Sequence, residues 1–184
     1  MILVVAATAF EVEYLHGDAT LVCGIGPVES ALATAAALAE RRPRAVVHVG
    51  IAGAQTLPPA TLVLGSEAVY CDVLDPESTF PRIERVAADA GLLTAARAAL
   101  PEAHVIPIGT TGRVGGGTAC EVEAMEGFGV LRAASLAGIP AVEVRAVSNA
   151  VAERDRARWR TEDALGTLAA AVPPLLEALE TFDA

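Results

Sequence analysis

The sequence predicts an α/β fold: three layers, α/β/α, around a mixed and mostly parallel central sheet. Three observations predict it. A continuous apolar run of Ile, Leu, Val and Ala fills residues 2–7, the pattern of a strand covered on both faces, and the mainly apolar stretches 45–49 and 141–147 read as further strands. Ala/Leu-rich stretches of helical length lie between such runs. The chain has 184 residues, 53% of them hydrophobic, so one core can close without disulfides or a metal. Residues 1–184 are accordingly expected to form a single domain.

The first strand, residues 2–7, leads into Phe10-Glu11-Val12-Glu13. A short second strand, 20–23, ends in Gly24-Ile25-Gly26-Pro27. Pro27 suits the first turn of a helix expected over 28–41, and Pro43 stops it. The third strand, 45–49, is followed by an expected turn at Gly50-Ile51-Ala52-Gly53. Residues 61–64 and 67–70 read as two strands, or as one broken at Gly65. Residues 72–80 are polar and turn-rich. Ile83, Val86, Ala90 and Leu93 carry helical spacing, so a helix is expected over 82–100, weakened by Gly91. A strand over 104–108 precedes a Gly/Thr-rich loop at 109–118. Thr118 and Glu121 stand in capping-box relation, in competition with a short strand over 119–125. Residues 126–137 read as a helix closed by Gly138. A strand over 141–147 and a helix over 161–179, interrupted or bent at Pro173-Pro174, complete the pattern.

Thirteen basic residues, all Arg, face 23 acidic ones, for a net charge of −10. Arginines cluster only at 41–44 and 154–160, so no basic face suits a nucleic acid or an anionic membrane. A mean hydropathy of +0.48 is high for a monomer and predicts a homo-oligomer. The apolar start lacks a positive n-region and meets Glu11 and Glu13 too soon for a signal peptide, so a cytoplasmic location is expected. Cys23, Cys71 and Cys120 form no CxxC, and His16, His48 and His104 have no zinc-ligand spacing; no metal is expected. Glu29 stands where the dinucleotide fingerprint needs its third Gly, and no Lys is present for a Walker loop, so no cofactor is expected.

Three glycine-rich segments, 24–26, 50–53 and 109–117, would form one ligand pocket if their strands are neighbours. Glycine loops are also common in α/β proteins. Glu11, just past the first strand, either faces that pocket or is a solvated turn residue. Glu126 has small and apolar neighbours, so it either meets a ligand or is held by helix N–H groups. A carboxylate there can accept both hydrogen bonds of a vicinal diol, such as a ribose. Asn149 can pair with a heterocycle edge or close its strand by an Asx turn. Arg154, Arg156 and Arg158 recognise an anion or form surface ion pairs, and Trp159 reads as packing.

Together these pieces resemble the purine nucleoside phosphorylase / nucleosidase superfamily. The resemblance rests on ILVVAATAFEVEYL (2–15), CGIGP (23–27), VHVGIAGA (47–54), EAMEG (123–127) and VRAVSN (144–149). Within it, Ala6-Ala7-Thr8 before Glu11, Glu126-Gly127, Ser148-Asn149 and the tail from Glu153 to Trp159 most resemble the futalosine hydrolases. The resemblance implies a nucleoside phosphorylase-like fold and hydrolysis of the N-ribosidic bond of futalosine in menaquinone biosynthesis, releasing hypoxanthine. It implies that Glu11 activates water, Glu126 grips the ribose, Met125 packs beneath the sugar and Asn149 contacts the purine. Gly53, Arg113 and Arg154 are the further substrate-binding candidates, with the cluster of Arg154, Arg156 and Arg158 placed to meet the carboxylate of the carboxybenzoyl extension. Ile51, where many relatives carry Ser, disfavours a phosphate site and so favours hydrolysis over phosphorolysis. The Glu that precedes the Met in other nucleosidases is Ala124 here, with Glu123 offset by one. Residues 16–19 fall where relatives carry an extra hairpin. A methylthioadenosine/adenosylhomocysteine nucleosidase, a phosphorylase and an inactive nucleoside-binding protein are the alternatives.

Overall fold

The computed structural model describes residues 1–15, 19–73, 77, 79–115 and 117–180. His16 and most of the expected hairpin segment therefore lie outside the described residues, as does Gly116 of the glycine loop. The strands are β1 (Ile2–Ala6), β2 (Thr20–Val22), β3 (Ala45–Ala54), β4 (Leu62–Tyr70), β5 (Arg85–Ala87), β6 (His104–Thr110), β7 (Val122–Ala124) and β8 (Ala141–Ala150). The helices are α1 (Ala9–Glu13), α2 (Pro27–Arg41), α3 (Ala90–Ala99), α4 (Gly127–Ala137) and α5 (Thr161–Glu180). A single 3₁₀ turn is described, at Arg156–Arg158.

The strands form one sheet in the order β2-β1-β3-β7-β6-β4-β5, with β8 paired to both β3 and β4. Five of the eight pairings are parallel and three antiparallel, so the expected mixed, mostly parallel sheet is what forms. Because β8 bridges β3 and β4 while β7 bridges β3 and β6, these five strands close on themselves. Alternation along the strands splits the core into layers. Val4, Val47, Val49, Val142 and Val144 pack with Leu92 of α3 and Leu165, Leu168 and Leu175 of α5. Leu3, Val5 and Val46 pack on the other face with Leu38 of α2 and Val130 and Leu131 of α4.

Several local expectations are corrected. Gly50–Gly53 is no turn: β3 runs through it to Ala54, with a register shift against β8 between Ala52 and Gly53. Asn149 closes no strand by an Asx turn; it lies within β8, opposite Gly53. The expected helix over 82–100 splits, because Val86 is buried between exposed Arg85 and Ala87 as an edge strand, and Asp89 then caps α3 by accepting from Leu92 N at 2.9 Å. Gly65 does not break β4; it sits at a register irregularity against β6. Gly109 and Thr110 extend β6 rather than open the loop.

The capping box is real but elsewhere. No helix follows Thr118; Glu121 instead accepts from Thr56 N (2.7 Å), Thr56 Oγ1 (2.9 Å) and Leu57 N (2.9 Å), which ties β7 to the loop after β3. The same Thr-x-x-Glu pattern at Thr8 and Glu11 forms the box that starts α1. Nor does Pro173-Pro174 interrupt α5, which is held to the core on both sides of the prolines by Leu168, Val172, Leu175 and Leu179.

Candidate active site

Thr8 fixes Glu11. Glu11 N donates to Thr8 Oγ1 at 3.2 Å, and Glu11 Oε2 accepts from Thr8 N (3.0 Å) and Thr8 Oγ1 (2.9 Å). The other oxygen, Oε1, accepts from Ile51 N on β3 at 3.3 Å. The carboxylate is therefore buried and held by three donors rather than solvated.

Glu126 is the N-cap residue of α4, but its side chain makes no capping hydrogen bond. Its Oε1 accepts from Gly26 N at 3.1 Å, across to the start of α2. Gly26 has φ +95°, a conformation that glycine adopts without strain, and it aims this N–H at the carboxylate. Glu126 Oε2 pairs with Arg145 Nη2 at 3.4 Å. Sequence reasoning weighed helix N–H groups against a ligand for Glu126. The N–H it finds belongs to a different helix, and the carboxylate still lines a cavity.

Arg145, which lies in the VRAVSN segment but carries no role from the sequence, joins Glu143 and His48 in a buried polar cluster. Arg145 Nε donates to Glu143 Oε1 at 2.8 Å, Nη1 donates to Ile51 O at 3.3 Å, and Nη2 also contacts His48 Nε2. His48 Nδ1 lies 3.0 Å from Val5 O, which can only accept, so Nδ1 carries the proton and Nε2 accepts from Arg145. Burial, then the Arg145 charge, hold His48 well below its ordinary titration range. Burial also pushes the Glu143 carboxyl up, against the pull of Arg145. Burial works against the Arg145 charge, but the Glu143 and Glu126 carboxylates outweigh it and raise its pKa. The available signal was period-2 alternation: His48 is the one polar side chain of β3, Glu143 and Arg145 alternate with apolar residues on β8, and His48 pairs in register with Glu143.

Glu11, Glu126, Asn149, Met125, Gly53 and Arg113 all line one cavity of about 340 Å³. Arg154 does not: it is exposed, and its Nη2 donates to Gly115 O at 3.5 Å. The 3₁₀ turn instead brings Arg156 and Trp159 to the cavity, with the guanidinium 5.5 Å from the ring centroid. Trp159 is thus cavity wall as well as packing. Arg113 and Arg156 have no carboxylate partner among the described residues. Glu123 also faces the cavity, but its oxygens accept from Gly115 N (3.0 Å) and Gly117 N (3.3 Å), holding the glycine loop. Asn149 Nδ2 donates to Ala150 O at 2.9 Å and Oδ1 accepts from Ser148 Oγ at 2.7 Å, which leaves one amide proton and one lone pair for a ligand. Among the described residues no group of three or more His, Cys, Asp or Glu can hold a metal ion, and no helix is long and apolar enough to cross a membrane.

Residues 7–182 match the phosphorylase superfamily. The chain belongs to this superfamily. A futalosine hydrolase of Streptomyces coelicolor is 55% identical over 60 residues, 33% of this chain and 26% of that protein. The matched part of this superfamily member thus spans about a quarter of that relative's length. Its fold is that of a Helicobacter pylori nucleosidase mutant with 5′-methylthioadenosine in the active site (TM-score 0.84, 17% identity, 96% of this chain and 97% of that one). It is also that of the native futalosine hydrolase of Helicobacter pylori strain 26695 (TM-score 0.83, 16% identity, 96% and 97%).

Proposed function

We propose that this superfamily member hydrolyses the N-ribosidic bond of futalosine, releasing hypoxanthine. One observation carries the reading: Glu11, Glu126 and Asn149, from three separate segments, line a single cavity. Glu11 holds a water and takes its proton as oxygen attacks C1′. The C1′–N9 bond breaks, its electron pair leaves with the purine, and the purine takes a proton from solvent, to which Glu11 returns the one it accepted from water. Glu126 accepts from the ribose hydroxyls and favours the positive charge that develops on the sugar. Met125 packs beneath the ring and Gly53 leaves room beside Asn149. The free amide proton of Asn149 suits O6 or N7 of a 6-oxopurine.

Arg113 and Arg156 supply cations for the carboxylate of the substrate's carboxybenzoyl group. Ile51 gives phosphate no side-chain donor, which supports water as the acceptor. The high local identity to a futalosine hydrolase supports this substrate. The reading takes the chain as one cytoplasmic domain acting in menaquinone biosynthesis. Exposed Ile25, Val28 and Leu32, at the start of α2 beside the cavity, support a homo-oligomer. The test is purine release from futalosine, inosine and methylthioadenosine without phosphate. Fastest release from futalosine is expected. Preferred cleavage of methylthioadenosine, or activity only with added phosphate, would overturn the assignment.

A further inference from the structure

Behind Glu126 lies a cluster that the proposed reaction leaves unused. Glu143 and His48 are fully buried and Arg145 is 1% exposed. A buried ion pair of this kind is seldom more stabilising than apolar residues of the same volume. Yet the backbone clears space for it. A Cβ at Gly127 would strike the Glu143 carboxylate, and one at Gly50 would strike the Arg145 guanidinium.

We propose that Glu143 and His48 are positioning residues for sugar recognition: they aim Arg145 at Glu126 and at the Ile51 carbonyl, and so fix the carboxylate that receives the ribose hydroxyls. The inference rests on the nucleoside reading above. Parallel register places His48 beside Glu143 and Gly50 beside Arg145, so the four positions form one patch on one sheet face. Glu143 Oε1 takes the Arg145 Nε–H, while its Oε2 has no hydrogen-bond partner among the described residues. The polar contact of Glu143 is thus devoted to Arg145. His48 is locked by Val5 O and presents only a lone pair to Nη2. Between them they set the position of the guanidinium. Its contact with Glu126, at 3.4 Å, is the longer one and depends on where they hold it. Nη1 reaches Ile51 O, and the N–H of the same residue reaches Glu11, so the mount extends to the second carboxylate.

The test compares full-length wild type with Glu143→Gln, His48→Leu and His48→Gln. Two kcat/KM ratios are read: futalosine against its 2′-deoxy analogue, and futalosine against its 6-amino analogue. Glu143→Gln and His48→Leu are expected to lower the first ratio roughly tenfold, the scale of one charge-assisted hydrogen bond, and to leave the second unmoved. His48→Gln retains an acceptor for Arg145 and a donor for Val5, so it should stay close to wild type. If the 2′-deoxy ratio holds in both disruptive variants, or if both ratios fall together, the proposal is overturned. If Glu143→Gln does not fold, the His48 pair decides it alone. A wild type that releases no base from futalosine removes the nucleoside reading and this inference with it; a wild type that does, with unmoved ratios in the variants, removes the inference only.

Discussion

Gly50 and Arg145 stand side by side in the β3–β8 register, and the guanidinium occupies the place that a Gly50 Cβ would fill. The same missing Cβ leaves Glu11 Oε1 room to reach Ile51 N. One glycine therefore sets both carboxylates, Glu11 directly and Glu126 through Arg145.

Gly50→Ala should accordingly damage turnover far beyond the size of a methyl group. The new Cβ displaces Arg145 and presses on Glu11. Misplacing catalytic groups by about 1 Å costs on the order of 10²-fold, and a loss of that order in kcat is expected. Steady-state kinetics beside a melting curve checks it. Wild-type turnover in this variant would show that Arg145 can leave its place without consequence.

Glu11→Gln should cost roughly 10²–10⁴-fold in kcat, the usual contribution of a positioned general base. Gln retains the shape, so nucleoside affinity measured by calorimetry should change little. Near-wild-type kcat would move the base elsewhere, with Glu13 the next candidate.

The pH dependence of stability should carry a His48 signature. The folded-state value of His48 lies well below its ordinary 6.5. Between the two, the unfolded chain binds a proton that the native state excludes. The His48 contribution is fully present above 6.5 and is lost as the pH falls towards the folded value. The limiting slope is about 1.4 kcal/mol per pH unit. Glu143, raised in the fold, acts in the opposite sense: its contribution is present below 4.5 and is lost as the pH rises through the folded value. It is common to wild type and His48→Gln, so their difference isolates His48. The wild-type denaturant midpoint should fall relative to that of His48→Gln as the pH drops below 6.5. A constant difference would mean that His48 titrates alike in both states.

Thiol labelling should separate the cysteines. Burial, then the Glu126 carboxylate, push the Cys23 thiol up to about 12. Cys71 and Cys120 are partly exposed. In the native protein at about pH 8, where free thiols begin to ionise, Cys23 should label only on unfolding, while Cys120 labels directly. Rapid modification of native Cys23 would contradict the packing of the loop from Gly24 to Gly26 against Glu126.

What was legible in the sequence follows from which signals are local. Strand β1 is legible because burial on both faces leaves an unbroken apolar run, and the first halves of β3 and β8 because theirs are mainly apolar; β3 extends past Val49 to Ala54 and β8 past Val147 to Ala150. Helix α2 read correctly because Pro27 and Pro43 bracket it. Glu11, Glu126 and Asn149 were legible as motif positions, and the fold brings them to one cavity. Their supports were not legible. The bond from Gly26 N to Glu126 spans 100 positions, and that from Arg145 to His48 spans 97. Glycines misled in both directions. At Gly50 and Gly53 the missing side chains serve Arg145 and Asn149 rather than a turn, so a strand was read as a loop. Arg156 rather than Arg154 lines the cavity because the 3₁₀ turn sets which side of the arginine cluster faces inward, and residue order alone does not carry that.

The last prediction concerns the base. In the proposed reading, wild type prefers 6-oxo over 6-amino purine nucleosides because Asn149 has one amide proton left to donate. Its other proton is committed to Ala150 O and its oxygen to Ser148. Asn149→Asp removes both amide protons. A carboxyl there must itself be protonated to donate to N7 of an adenine, and Ser148, 2.7 Å from Oδ1, can steady the other oxygen. The Ala150 carbonyl then faces an acceptor, which works against the ionised form and towards the donor that an amino purine needs. A hydrogen bond to a charged or proton-sharing group contributes roughly 1.5–3 kcal/mol, so the kcat/KM ratio of futalosine to aminofutalosine should fall by about tenfold or more. The fall should be larger on the acid side, where the new carboxyl holds its proton. Both substrates measured with both proteins across pH decide the matter. A ratio that does not move would assign base selection to the Arg113–Gly115 segment of the cavity wall and leave Asn149 a strand residue that happens to face it.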